Sequence, residues 1–323
     1  MSESLLDKEI ARLEKEYGKG SIISSVKNEV EVISTGSLKL DLATGIGGLP
    51  RGGLVEIIGW ESSGKSTIVQ NVVGNAQKKD LKCLYMDGEY SLDRRYATRL
   101  GINMEELMVY QLDSGGGEKC YNVAEGLIKT GQIGVVVFDS QTSMLPKKVM
   151  EGEVGDSNLG LHARMMSIAV PKIMSAAALS NTLVIFISQF REKIGVMFGS
   201  PETTNGGNAL KFYAHMRIEV RKSVEKIDGE AVANKTRCKV IKNKFAPPFG
   251  EAEFRILYGE GVDRVGEVLD LAIEHEIIKK SGSWYSHKEL KIGQGEGAVL
   301  QLFKDNPDFA KEIEEKVLLK IKS

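Results

Sequence analysis

Leu54-Val55-Glu56-Ile57-Ile58-Gly59-Trp60-Glu61-Ser62-Ser63-Gly64-Lys65-Ser66-Thr67 joins an apolar run, a glycine-bounded polar loop and the start of a helical segment. Residues Gly59 to Ser66 match G-x-x-x-x-G-K-[ST]. The match lies where its chemistry needs it, after a predicted strand (Leu54–Ile58) and before a predicted helix (Thr67–Lys78). Glycines let the backbone turn its N–H groups inward around a phosphate, and the helix N-terminus adds the positive end of its dipole. Lys65 is then placed to reach β- and γ-phosphates, and Ser66 to ligate Mg2+. The expected ligands are ATP and Mg2+, held by Gly59, Glu61, Ser62, Ser63, Gly64, Lys65, Ser66 and Thr67.

Outward from this loop, short apolar runs alternate with helical segments from Thr35 to about Val262, the pattern of a mainly parallel sheet covered by helices. Strands are predicted at Leu54–Ile58, Cys83–Met86, Val135–Phe138, Leu183–Ile187, Met216–Val220 and Cys238–Ile241. The last two, with Phe254–Leu257, lack long helical crossovers and read as antiparallel additions. Three strands besides the first end in polar residues: Met86-Asp87 followed by Glu89, Phe138-Asp139-Ser140, and Ile187-Ser188-Gln189. In a parallel α/β sheet the carboxyl ends share one edge, where ligands bind. Asp139 fits the acid that holds Mg2+ together with Ser66. Glu89 reads either as a carboxylate orienting an attacking water or as a solvated loop acid. Gln189, neutral and able both to donate and to accept, suits sensing of a γ-phosphate.

The chain has 323 residues, 42% hydrophobic and 27% charged, enough for one α/β core plus a smaller module. A formal net charge of −1 gives no global pull toward nucleic acid, so such contacts need a local patch. Lys211 to Lys244 offers one, with ten Lys/Arg against four Asp/Glu. Cys83, Cys120 and Cys238 lack paired spacing, and Cys83 and Cys238 read as small buried thiols. His162, His215, His275 and His287 lack metal-ligand spacing. No apolar stretch reaches membrane-spanning length and the N-terminus is charged, so a cytoplasmic location is expected.

Residues 3–17 read as an amphipathic helix, with Leu6, Ile10, Leu13 and Tyr17 at helical spacing, Ser4 and Asp7 as a cap, and Gly18 and Gly20 as its end. An extended segment follows over Val26–Ile33. The helix either folds back on its own chain or docks on another copy. Past Gly261 a new helical stripe (Val265, Val268, Leu269, Ala272, Ile273, Ile277) leads to a turn and short strand at Ser281–Tyr285 and a terminal Lys/Glu-rich helix. The expected architecture is α/β: residues 1–33 as N-terminal helix and linker, 34–262 as a P-loop NTPase core, and 263–323 as a small α+β C-terminal domain.

Residues 190–209 lack periodicity and carry Gly195, Gly199, Pro201, Gly206 and Gly207. A long structureless loop in a compact domain is usually functional or disordered. Arg191 and Lys193 can neutralise phosphate while Ile194 and Phe198 stack on or wedge between bases, a sequence-tolerant way to hold a single strand. A second loop, Glu151–Gly160, is acidic, and its chemistry alone reads as solvated surface.

The whole pattern resembles the bacterial RecA recombinase family over about residues 15 to 320. The resemblance rests on Ser34-Thr35-Gly36-Ser37-Leu38, Gly47-Gly48-Leu49-Pro50, Glu61-Ser62-Ser63-Gly64-Lys65, Glu151-Gly152-Glu153-Val154-Gly155-Asp156 and Ala163-Arg164-Met165-Met166. More specific are Lys193 to Phe198 with Pro201-Glu202-Thr203-Thr204, Gly206-Gly207-Asn208-Ala209-Leu210-Lys211-Phe212-Tyr213, Lys242-Asn243-Lys244 and Ile256-Leu257-Tyr258-Gly259-Glu260-Gly261. It implies a RecA-like fold and Glu89 as catalytic carboxylate. Gln189 is implied as the link from γ-phosphate to the loop behind it, with Asp93, Tyr96 and Tyr258 around the adenine. Lys242 and Lys244 are implied to complete the site of a neighbouring protomer, beside Lys65, Glu89 and Gln189 of that site. DNA contacts are implied at Leu159, Arg164, Arg191, Lys193, Ile194, Gly195, Val196, Met197, Phe198, Gly206, Gly207 and Asn208.

The resemblance further implies a helical homo-oligomeric filament with the N-terminal helix docked on the adjacent copy. Single-stranded DNA and homologous duplex DNA are its partners, and repressor and single-strand-binding proteins its candidate partners, in DNA repair and the SOS response to DNA damage. A ring-forming helicase and a phosphotransferase that ignores DNA share the loop chemistry and stay open as alternatives. Trp60 stands where the family usually has proline, Gly88 and Tyr90 flank Glu89 unusually, and Glu192 puts an acid in the long loop. Residues 305–323 carry five acids and four lysines, nearly balanced, in place of a long acidic tail. Any restraint such a tail puts on DNA access is expected to be weaker here, and these departures would suit a phage-encoded relative.

Overall fold

The computed structural model describes residues 4–17, 30–153, 156, 158, 160–192, 202–204, 206–227 and 230–322. It divides into two units, one ending at Glu31 and one beginning at Val32. The first holds α1 (Leu5–Tyr17). Its cap is the one expected: Ser4 Oγ accepts from the Asp7 N–H (3.1 Å), and the Asp7 carboxylate accepts from Ser4 N (3.1 Å) and Oγ (2.7 Å). Gly18, Gly20 and residues 26–29 of the expected extended segment lie outside the described residues.

The second unit opens with β1 (Val32–Ile33), α2 (Leu38–Ala43) and β2 (Leu49–Pro50). It continues through β3 (Leu54–Gly59), α3 (Lys65–Gln77), β4 (Lys82–Asp87), α4 (Arg94–Arg99), β5 (Met108–Gln111), α5 (Gly116–Ile128), β6 (Ile133–Asp139), α6 (Lys147–Glu151), α7 (Leu161–Ser180) and β7 (Leu183–Glu192). Then come β8 (Glu202–Thr204), α8 (Ala209–Tyr213), β9 (Met216–Ile227), β10 (Glu230–Asn243), β11 (Glu251–Leu257) and β12 (Gly261–Val262). The C-terminal part comprises α9 (Arg264–Glu274), a meander of β13 (Lys279–Ser281), β14 (Trp284–His287) and β15 (Leu290–Gln294), then α10 (Glu296–Asp305) and α11 (Pro307–Lys322).

The large sheet runs β12-β11-β10-β9-β3-β7-β6-β4-β5, with β8 paired to β7 off this path. Strands β9, β3, β7, β6, β4 and β5 are mutually parallel, and β10, β11 and β12 add antiparallel. One expectation is corrected here: Met216–Val220 is not an antiparallel addition to the central sheet but pairs parallel with β3. The crossover from β7 to β9 passes through β8 and the short α8 rather than a long helix, which a search for helical crossovers overlooks.

Parallel strands buried on both faces read as continuous apolar runs because successive side chains enter different cores. Val55, Ile57, Cys83, Tyr85, Val135, Val137, Ile185 and Ile187 pack under α3, against Ile68, Val69, Val72 and Val73. Leu84, Met86, Val136, Phe138, Val184 and Phe186 face α5 and α7 on the other side. There Phe138 and Phe186 stack with ring centroids 4.5 Å apart. All three cysteines are free and buried, and burial pushes the Cys83 thiol up to about 12. Among the described residues no helix is long and apolar enough to cross a membrane.

One buried carboxylate ties the C-terminal part to the start of the core. Glu267 of α9 accepts from Ser37 Oγ and from Leu38 N (2.8 Å), while Ser37 Oγ itself caps α2 by accepting from Leu40 N (3.0 Å). Burial pushes the Glu267 carboxyl from 4.5 up to about 7, opposed by the two hydrogen bonds and by Arg264 and Lys39. A folded-state value above the unfolded one favours folding while the group is protonated. That stability is complete below pH 4.5 and is lost as pH rises through 7. Urea unfolding of the wild type should therefore show a loss of about 3 kcal/mol between pH 5 and 8 that Glu267→Gln removes. Parallel pH profiles for the two proteins would contradict this assignment.

Candidate nucleotide and nucleic-acid site

The loop between β3 and α3 is shaped by contacts that exclude larger residues. A Cβ on Gly59 would stand 2.4 Å from the Val220 carbonyl oxygen of the neighbouring strand. Gly64 has φ +95 at the mouth of α3, and a Cβ there would meet Ile256 Cδ1 at 2.6 Å. Lys65 opens α3 and is buried. Its ammonium donates to the carbonyls of Gly59 (3.1 Å) and Trp60 (2.7 Å). Burial lowers its pKa, while Asp139, Glu89 and Glu61 pull the other way. Ser63 Oγ is buried with no hydrogen-bond partner among the described residues. A desolvated cation, an unspent hydroxyl and a helix N-terminus converge on one loop, a set that fits a phosphate group.

Asp139, at the end of β6, sits beside this loop. It accepts from the buried Tyr85 phenol; the nearby Ser66 hydroxyl also favours its charged form, and Gln70 favours that of the phenol. Burial raises the Asp139 pKa and the Tyr85 and Ser66 hydroxyls oppose the rise. One carboxylate oxygen is thus fixed by Tyr85, and the Ser66–Asp139 pair fits a divalent cation at the loop. Tyr85 and Gln70 were not among the residues expected from sequence. In an apolar strand and helix face they read as core, and only the β4–β6 pairing brings the phenol to Asp139.

Glu89 is exposed on the loop after β4, and the base of that loop is shaped by Asp87. The buried Asp87 carboxylate accepts from Ser91 N (3.1 Å), and Gly88 N donates to the Asp139 carbonyl (2.8 Å). Glu89 Oε1 accepts from Ser140 Oγ and from Gln189 Nε2 (3.1 Å). Of the polar strand ends, Ser188 turns away from this edge and donates to the buried Glu56 (2.8 Å).

A cleft of about 310 Å³ is lined by Ser62 to Thr67, Tyr96, Asn234 and Ile256 to Gly259. Tyr96 Oη is 3.1 Å from Thr67 Oγ1, and Tyr258 Oη donates to Asn234 Oδ1 (2.9 Å). Asp93 caps α4 by accepting from Tyr96 N (2.8 Å), so it acts on this cleft by placing Tyr96. Asn234, Ile256 and Gly259 are additions from the fold, since β10 and β11 reach the loop only through the antiparallel part of the sheet.

Lys242 and Lys244 lie elsewhere. Lys242 pairs with Arg217 and Asn243 with Met216, which align with Glu56 and Val55 at the start of β3. Gly59 closes β3 three residues beyond Glu56 and four beyond Val55, about 10–13 Å along the strand. Within one chain the two lysines therefore occupy the edge opposite the phosphate loop. Lys242 Nζ donates to the carbonyls of Lys211 (2.7 Å) and Phe212 (2.9 Å), capping α8 beside the exposed Phe212 ring.

Of the residues expected at nucleic acid, Leu159 and Lys193, Ile194, Gly195, Val196, Met197 and Phe198 lie outside the described residues. The expected structureless stretch is corrected at its root. β7 continues through Phe190, Arg191 and Glu192, which pair antiparallel with Thr204, Thr203 and Glu202 of β8. This two-stranded arm begins at Gln189. Gly206 and Gly207, with φ +86 and +72, pack onto Gln141 and Ala163, and Asn208 leads into α8. Exposed Arg164 is the next residue of α7 after Ala163. Partly buried His162 bonds the Gln141 carbonyl (3.1 Å), and burial lowers its pKa.

Comparison with known proteins bears directly on this geometry. Residues 4–263 match the model of the RecA N-terminal domain, and residues 266–322 that of the RecA C-terminal domain. The chain is 49% identical over 317 residues to Protein RecA of Rhodospirillum rubrum, covering 97% of this chain and 86% of the relative. It is 48% identical to Protein RecA of Streptomyces rimosus over 323 residues, 99% and 85% of the two chains. Against Protein RecA of Bifidobacterium longum the identity is 51% over 316 residues, covering 97% and 79%. With a phosphate loop on a parallel sheet and both domain models matched in order along one chain, this protein belongs to the RecA family of ATP- and DNA-binding recombinases.

Proposed function

We propose that this chain is a DNA-stimulated ATPase that forms helical filaments on single-stranded DNA and promotes pairing and strand exchange with a homologous duplex. The observation that carries the reading is the Glu89–Gln189 hydrogen bond at the root of the β7–β8 arm. One residue there faces the ATP edge while Arg191, two positions on, enters the candidate DNA segment. Residues 34–262 act as ATPase core, 263–323 as C-terminal domain, and 1–33 as the segment whose helix docks on the next copy. The working location is the cytoplasm, and repressor and single-strand-binding proteins are candidate partners.

In this reading Gly59, Glu61, Ser62, Ser63, Gly64 and Thr67 surround the phosphates, and Lys65 exchanges the Gly59 and Trp60 carbonyls for phosphate oxygens. Mg2+, held by Ser66 and Asp139, supplies Lewis-acid stabilisation of phosphate charge. Tyr96, placed by Asp93, and Tyr258 flank the base. Glu89 orients the attacking water. Gln189 leaves Glu89 for the γ-phosphate and so moves the arm. Arg164, Arg191, Lys193 to Phe198, Leu159 and Gly206 to Asn208 hold the DNA backbone with little regard to sequence. Because Lys242 and Lys244 stand at the far edge of the sheet, they serve the site of a neighbouring copy.

Turnover with and without single-stranded DNA, imaged in parallel, tests the whole reading. Open helical filaments and stimulated turnover are expected, and closed rings or indifference to DNA would overturn it. Gln189→Ala should keep ATP affinity but reduce DNA stimulation by about tenfold or more, and preserved stimulation would remove Gln189 from the coupling. A double Lys242→Ala, Lys244→Ala variant should be nearly inactive alone. Mixed with Lys65→Ala protein, whose lysines at the far edge are intact, it should regain turnover above the sum of the two. No gain would rule out a role in trans.

A further inference from the structure

A second contact joins the phosphate loop to the arm, independent of Gln189. The Trp60 indole Nε1 donates to Glu202 Oε1 on β8 (2.9 Å). The same carboxylate receives Arg221 of β9 through Nη1 (3.1 Å) and Nη2 (2.5 Å), and Arg221 Nε donates to Glu219. The indole ring lies 5.8 Å from the Phe190 ring of β7, over which the Arg221 guanidinium stands at 5.5 Å. Trp60 is 37% exposed, so core packing does not account for its position. A proline at this position has no N–H or indole to offer.

The two ends of Trp60 answer to different partners. Its carbonyl is held by the Lys65 ammonium (2.7 Å) and by Ser63 N (3.3 Å), whereas its side chain is held by the arm. When Lys65 turns to a phosphate, the Trp60 carbonyl loses its charged donor and the peptide gains freedom to rotate. Such a rotation displaces the indole, and with it the carboxylate of Glu202, a residue of β8 paired with Glu192 of β7.

We propose that Trp60 is a positioning residue that transmits occupancy of the Gly59–Ser66 loop to the β7–β8 arm through its indole bond to Glu202. The proposal rests on reading the loop as the ATP site and the arm as the root of the DNA-binding segment. It adds a route from loop to arm that bypasses Glu89 and Gln189.

The chain has two tryptophans, so Trp284→Phe gives a parent in which Trp60 is the single indole. In that parent, titration with ATP and Mg2+ should change Trp60 emission, and poly(dT) should stimulate turnover. Adding Glu202→Ala should leave ATP affinity within about twofold, remove most of the emission change and reduce DNA stimulation by about fivefold or more. Adding Glu202→Gln instead, which keeps an acceptor for the indole and loses the ion pair with Arg221, should hold stimulation within about twofold of the parent. A parent without DNA stimulation overturns the functional reading and the Trp60 route with it. A stimulated parent whose Glu202→Ala form is stimulated equally overturns the Trp60 route alone. So does a Glu202→Gln form as impaired as Glu202→Ala, since the loss then follows the ion pair rather than the indole.

Discussion

The register between parallel strands governs this molecule. Gly59 at the end of β3 is aligned with Gln189 of β7, and Asp87 at the end of β4 with Asp139 of β6. Through those alignments the phosphate loop, the acid beside Ser66 and the root of the β7–β8 arm arrive at one sheet edge. Side chains alternate with a period of two, so a slip of one residue would turn Asp139 away from Ser66 and Tyr85. The same slip would send the apolar residues of each strand into the wrong core. Site and core thus stand or fall together.

Glu56 shows how the register is held. Its carboxylate is fully buried mid-strand, and it accepts from Ser188 of β7 and from Arg217 Nε of β9 (2.6 Å). Both neighbours of β3 are thereby fixed by one residue. A buried carboxylate is tolerable only with such partners, and a shifted strand would leave it unpaired at a cost of several kcal/mol. The apolar residues of β3 favour burial in any register that preserves their face. Glu56 narrows the choice to one.

How much of this could be read from the chain follows from which interactions are local. Leu54–Ser66 carries strand, loop and helix signals within a few residues, and the structure bears out that order. Asp139, Glu89 and Gln189 were legible because each follows an apolar run, although their mutual distances were not. The extension of β7 through Arg191 and Glu192 was invisible, since its residues are polar and its partner Glu202–Thr204 begins ten residues further on. Short or half-exposed strands such as β5 (four residues) and β12 (two residues) are too brief to show a period of their own. Tyr85 is the clearest case of a hidden role. Its ring belongs in the core as any aromatic in a buried strand would, and its hydroxyl gains meaning only when β6 is laid beside β4. Trp60 and Glu202, separated by 142 positions, are likewise joined by topology alone.

Lys65 gives these alignments an energetic direction. Its ammonium is desolvated and bonded to neutral carbonyls, so its own loop stabilises it less than a charged partner would. An anionic oxygen is a stronger partner for that ammonium than a neutral carbonyl is. In the proposed reading a phosphate at the loop gives the lysine such a partner and at the same time releases the two carbonyls it holds. One of these carbonyls belongs to Trp60 and the other to Gly59, the residue aligned with Gln189. The two peptides that feel the departure of Lys65 are thus the two that stand next to the arm. In the proposed reading, this buried cation, trading carbonyls for phosphate, is the element whose state the arm follows.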